Sequence, residues 1–141
     1  MKIWMAALSL ATAALVGPAS AEGDLALKPI KLDDLVIGMG ESGYGVSKKD
    51  YELVTGKAYQ LLIKSTGAKE CAWVAPELTT NIWLRKVEAG GVEIKAAMLN
   101  EVEFERAGEA EIFFVPVRTG SFAWRCKGLE GRGVEGKFVV K

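Results

Sequence analysis

The sequence predicts an all-β fold, a sandwich or barrel of about seven short strands. Two observations predict it. Segments of four to eight residues rich in β-branched and aromatic side chains recur about every ten residues, some of them alternating apolar with polar. Glycine, proline and small polar residues punctuate the chain between them. No internal repeat, low-complexity tract or heptad pattern competes with this reading.

The elements follow in order. Residues 22–50 read as a loosely structured N-terminal arm, in which Leu25 to Ile30 could form a short edge strand and Met39 to Gly45 is too glycine-rich for a regular element. The strands begin with Tyr51–Val54, turned by Gly56-Lys57. Tyr59–Ser65 comes next, with Leu61 and Ile63 alternating against Gln60, Leu62 and Lys64. Thr66 to Lys69 is a turn, and Cys71–Val74 is a strand stopped by Pro76. Residues 79–88 fit either a strand or a short helix. Gly90-Gly91 breaks the chain before the strand Val92–Ala96. Glu101-Val102-Glu103-Phe104-Glu105 alternates strictly, and Ala110–Val117 is apolar, so the five acids Glu101, Glu103, Glu105, Glu109 and Glu111 are expected on one hairpin. Ser121–Cys126, a loop with Gly128, Gly131 and Gly133, and the closing strand Gly136–Lys141 complete the chain. Trp73, Trp83, Trp124, Phe113, Phe114, Phe122 and Tyr59 are expected to fill the core.

The N-terminus bears on compartment. Lys2 is followed by a nearly unbroken apolar run to Val16, then Gly17-Pro18 and the small residues Ala19-Ser20-Ala21. This pattern is expected to be a secretory signal peptide cleaved after Ala21. The run is about 14 residues, short of the roughly 20 that span a bilayer, so no membrane anchor is expected after cleavage. Residues 22–141 would then form the mature, periplasmic chain, with 51–141 as its folded domain.

Composition narrows function. The 141 residues carry 18 basic and 18 acidic side chains, which gives no general attraction to nucleic acid. There is no histidine. That excludes Ser-His-Asp and Cys-His nucleophile activation, HExxH zinc sites and histidine-ligated haem. The only cysteines, Cys71 and Cys126, are both in the mature chain, and in an oxidising compartment two such residues are expected to pair. They do not form a C-x-x-C pair with an activating base, so a labile redox dithiol is the weakest of the functional readings.

The segment from Gly120 to Val140 resembles the last hairpin of cupredoxins. There a G-x-[YF]-x-[FW]-x-C strand ends at a copper-ligating cysteine, a loop carries a histidine and a methionine, and a G-x-[FV]-V-V strand closes the domain. Ser65 to Leu78, with Cys71-Ala72-Trp73-Val74-Ala75-Pro76-Glu77, is similar to the family's first ligand segment, and Phe113-Phe114-Val115-Pro116 to the strand before the hairpin. The resemblance spans about residues 51–141 and implies a cupredoxin-like Greek-key β-sandwich. Carried over by position, the first histidine ligand falls at Cys71, the cysteine at Cys126, the loop histidine at Glu130 and the methionine at Val134. One of four ligands survives, so no blue-copper centre is expected. The resemblance further implies that Cys71 and Cys126 lie within disulfide reach at the former copper site, stapling the two sheets together. The rival implication is a metal site of Cys71, Cys126 and Glu130, aided by Met98 or Met39, holding copper or iron.

A narrower resemblance concerns function. Lys69 to Glu77, Asn81 to Glu88, Glu93 to Ala96 and Glu109 to Val117 look like the small cupredoxin-like components of bacterial ferrous-iron uptake systems, which also carry cysteine in place of the first histidine. That implies assistance in oxidising or passing on Fe²⁺, beside a periplasmic iron-binding protein and a membrane iron permease. It adds Glu70 and Glu93 as candidate oxygen ligands near the site. The alternative is a metal-free structural or interaction domain held by a Cys71–Cys126 bridge.

Overall fold

The computed structural model describes residues 28–141. The signal-peptide expectation and the start of the arm lie outside the described residues. Twelve strands are present among the described residues: β1 (Ile30–Lys31), β2 (Leu35–Met39), β3 (Gly45–Val46), β4 (Asp50–Leu53), β5 (Tyr59–Ser65), β6 (Cys71–Val74), β7 (Ile82–Ala89), β8 (Val92–Ile94), β9 (Val102–Phe104), β10 (Gly108–Pro116), β11 (Gly120–Cys126) and β12 (Glu135–Val140). A single helical turn, α1 (Pro76–Thr79), separates β6 from β7. The expected all-β sandwich is what forms. The strand count exceeds seven because the arm contributes β1, β2 and β3 and the ambiguous stretch contributes β7.

The first sheet runs β3-β2-β5-β10-β7-β8, with β1 also pairing β5; the second runs β4-β12-β11-β6-β9. Alternation places the core between them. In β5, Tyr59, Leu61, Ile63 and Ser65 are buried while the residues between are partly exposed. The second sheet contributes Tyr51, Leu53, Trp73, Phe104, Phe122, Trp124, Phe138 and Val140 to the same core. Among the described residues no helix is long and apolar enough to cross a membrane.

Four sequence expectations change. The arm is not irregular throughout its described part, because β2 pairs in parallel with β5 and buries Leu35 and Ile37 in the core. The ambiguous stretch 79–88 divides: Pro76 opens α1, where a missing N–H costs nothing, and β7 starts at Ile82. The five acids do not share a hairpin. β9 pairs with β6 in the second sheet, whereas β10 pairs with β5 and β7 in the first, since the chain crosses between sheets at 105–107. Finally, Trp83 is 41% exposed, because Leu84 takes the inward position on β7 and period-two alternation turns Trp83 outward.

One backbone meeting holds the second sheet to the segment before β4. The Lys49 carbonyl accepts hydrogen bonds from the Trp124 indole N–H (2.8 Å) and the Lys137 amide (2.9 Å). Gly136, the register partner of Trp124, sits against both.

Candidate functional site

Cys71 opens β6 and Cys126 ends β11, and these strands are antiparallel neighbours with Cys126 opposite Trp73. Both side chains face inward and are joined in a disulfide, with Cα atoms 5.1 Å apart and exposures of 1% and 0%. The bridge is therefore a link within one sheet. It does not staple the two sheets, because both cysteines lie on paired strands of the same inner face. No free cysteine remains.

The loop after Cys126 closes on itself through its backbone. The Cys126 amide donates to Val134 O (3.0 Å), Leu129 N to Cys126 O (3.0 Å), and Lys127 N to Ala72 O (3.0 Å). Within this loop Glu130 begins a 3-10 turn, and its carboxylate pairs with Arg125 Nε at 3.1 Å. Arg125 adjoins the inward Cys126 and so faces the opposite way, carrying Glu130 away from the sulfurs. Val134, at the methionine position, is buried hydrocarbon.

The remaining candidates do not gather at this pole. Glu70 is exposed on the turn before Cys71. Met98 is 50% exposed in the connection between β8 and β9, and Met39 is exposed at the end of β2. Glu93 lies on β8 in the other sheet, bonded to Lys95 at 2.6 Å and Lys86 at 2.9 Å. Glu101 is paired with Lys127. Among the described residues no group of three histidine, cysteine, aspartate or glutamate side chains is placed to hold a metal ion. The donors present thus do not fit a cupredoxin copper centre: its two sulfur-bearing positions are bonded to each other, and the other two offer an engaged carboxylate and a valine.

Three residues that the sequence reading passed over do meet here. Tyr44, from the glycine-rich loop before β3, packs under two cations, Lys69 Nζ at 5.2 Å and the Arg132 guanidinium at 5.3 Å from its ring centre. Lys69 belongs to the turn before Cys71 and Arg132 to the loop after Cys126, so the arm ties both ligand-position loops together. The signal available in the sequence was the glycine run itself. Gly43 has positive φ, and a β-carbon there would stand 2.9 Å from that of Ala68.

Two further features lie away from the pole. A groove of about 420 Å³ on the outer face of the first sheet is lined by Glu88, Glu93, Glu109, Glu111 and Leu62 with the Gly90-Gly91 turn. Tyr51 keeps its hydroxyl buried without a partner among the described residues. Burial, then the Asp33 and Asp34 carboxylates, push that phenol well above its ordinary value.

Glu93 gives a pH prediction. The hydrogen bonds from Lys95 and Lys86 lower its pKa from 4.5 to about 2. A depressed carboxylate contributes stability that is present above pH 4.5 and lost as pH falls through about 2. An NMR titration of the Glu93 side-chain carboxyl is expected to show a midpoint near the lower value, moving back toward 4.5 in K95A and in high salt. A midpoint already at 4.5 in the parent chain would remove this network from the solution structure.

No protein-family model matches the chain, and no curated protein matches it. Solved structures do match in fold. The multicopper oxidase from Campylobacter jejuni, a metallo-oxidase, superposes with TM-score 0.58 at 13% identity, over 82% of this chain and 31% of that one. The 2F4 variant of McoA multicopper oxidase from the hyperthermophile Aquifex aeolicus gives 0.62 at 11% identity, over 81% and 31%. The copper nitrite reductase from Nitrosomonas europaea gives 0.53 at 12% identity, over 67% and 33%. This chain spans about a third of the length of these neighbours. At such identities the likeness concerns architecture, and the fold is cupredoxin-like.

Proposed function

We propose that this chain is an exported, periplasmic metal-handling protein on a cupredoxin fold, an accessory that helps ferrous iron reach a membrane permease. A periplasmic iron-binding protein is its expected second partner. The observation that carries this reading is the Cys71–Cys126 bridge at two adjoining ligand positions of a cupredoxin-like domain. The pole has been rebuilt, and rebuilt with the cysteine-for-histidine exchange that the iron-uptake components share. Fold neighbours named as copper oxidases and a copper nitrite reductase support a metal-related ancestry for the domain.

A second reading has its own support. With the cysteines bonded, Glu130 held by Arg125 and Glu93 held by two lysines, the domain could serve purely as a stapled interaction module. Deletion of the gene in its native host separates the two. Uptake of radiolabelled Fe²⁺ by intact cells is expected to fall to background and to return with the intact gene. Unchanged uptake overturns the iron role and leaves the interaction module.

A further inference from the structure

Several chain segments meet at the end of the sandwich opposite the disulfide, where β11 begins at Gly120 before running to Cys126. The turn between β4 and β5 holds the start of β1, because the Ile30 amide donates to Ala58 O at 2.8 Å. The same turn holds the end of β10, through the Gly56 amide and Pro116 O at 2.9 Å. The Val117 amide donates to Asn81 O at 3.0 Å and brings in the start of β7, and the Thr55 amide donates to the Lys141 carbonyl at 2.9 Å. This end exposes Ile30, Val54, Trp83 and Val117, half of the large apolar side chains exposed among the described residues. Such a concentration marks an interaction surface. The charges around it bear on the partner. Lys57 and Arg118 stand on the two exposed turns, and Arg85 lines a cleft with Trp83 and Pro29. None of these three cations has a carboxylate partner among the described residues. The acids on the same segments are Glu52, held by Lys141, and Glu77 on α1. The exposed Val92 of β8 has the opposite setting, in the groove lined by Glu88, Glu93 and Glu109.

We infer that this end of the sandwich is a docking face for an anionic phospholipid surface. Ile30, Val54, Trp83 and Val117 enter the headgroup layer, and Lys57, Arg85 and Arg118 meet the lipid phosphates. An indole has an apolar body and one polar tip, so it settles at headgroup depth. Long basic side chains lay their stems along apolar surface and keep the charge at the phosphates. Peripheral binding of this kind adds buried apolar area to electrostatic attraction, and this end offers both. A second copy of the chain is the poorer occupant. It would bring the same unpaired cations against these ones, and like charges facing across an interface oppose association. The docking is reversible and needs no spanning segment. It leaves the disulfide pole pointing away from the membrane. It does not rest on the iron reading, since vesicle binding is measured without metal.

The test uses the mature full chain with vesicles of phosphatidylglycerol and phosphatidylcholine in equal parts, and with vesicles of phosphatidylcholine alone. Sedimentation is expected to carry the protein down with the anionic vesicles at low salt, and high salt should release it. Trp83 supplies an internal probe, because Trp73 and Trp124 are buried. Its emission should shift to the blue on binding and be quenched by brominated lipid, a change that W83A abolishes. W83A should also weaken binding about tenfold through lost apolar contact. K57Q/R118Q should weaken it about thirtyfold, since each basic residue near an anionic surface is worth about fivefold. Both residues of that double variant lie on exposed turns, so its loss reports binding rather than folding. No sedimentation with anionic vesicles overturns the docking face, as does equal binding to phosphatidylcholine alone. Parent-like binding by K57Q/R118Q and W83A overturns its placement at this end. A blue shift of Trp83 that grows with protein concentration in the absence of lipid, with a dimer in sedimentation equilibrium, gives the face to a second copy and overturns the lipid assignment.

Discussion

G136A is expected to be among the most damaging single substitutions in the described chain, costing about 4 kcal/mol or preventing folding. Gly136 stands where β12 passes between Trp124 and the backbone of Lys49. A β-carbon there would fall on the Lys49 carbonyl oxygen, and 2.6 Å from both Lys49 C and Trp124 Nε1. None of these atoms is the free end of a flexible side chain. The carbonyl is fixed by the two hydrogen bonds it accepts, and Trp124 is fully buried. Making room means moving the start of β4 off β12, which breaks both bonds and opens the core beside Phe138 and Tyr51, whose rings stack at 5.1 Å. The internal control is G131A, where an added methyl meets nothing within 4 Å. Surface changes of that kind stay within about 0.5 kcal/mol. Guanidinium unfolding of the two variants and the parent measures the difference. If G136A lies within about 1 kcal/mol of the parent, the packing of Gly136 against Trp124 and the Lys49 carbonyl is wrong.

What the sequence could and could not reveal follows the range of the interactions concerned. Strands whose pattern is local were legible: β5, with Leu61 and Ile63 inward, and the Val102/Phe104 face of β9 are written in their own alternation. Partner choice was not. Nothing local to Glu105 and Glu109 says that the chain leaves one sheet for the other between them, so adjacent strands were read as a hairpin. β2 was hidden for a related reason. Its Leu-Val-Ile is short and flanked by Asp33-Asp34 and by Gly38 and Gly40, and only its pairing with β5 makes it core. At the site, the closeness of Cys71 and Cys126 was legible through the family pattern. The fate of Glu130 depended on a 3-10 turn ending at left-handed Gly133, which delivers the carboxylate to Arg125. The missing histidine proved informative by position, since one of the two ligand sites it vacates now carries half of the bridge.

The second large effect is expected from that bridge. The parent, unfolded without reductant, should show no free thiol, and the C71A/C126A variant should lose about 4 kcal/mol, because the bond closes a loop between residues 55 positions apart. Stabilities of small domains run to about 5–15 kcal/mol, so this is a large share of the total. The melting temperature should fall on the order of 15 °C. A loss under about 1 kcal/mol would mean that the β6–β11 ladder alone restrains this loop, and that the bond is not the staple. Reduced parent protein and the alanine variant should have similar low stabilities, since both lack the cross-link.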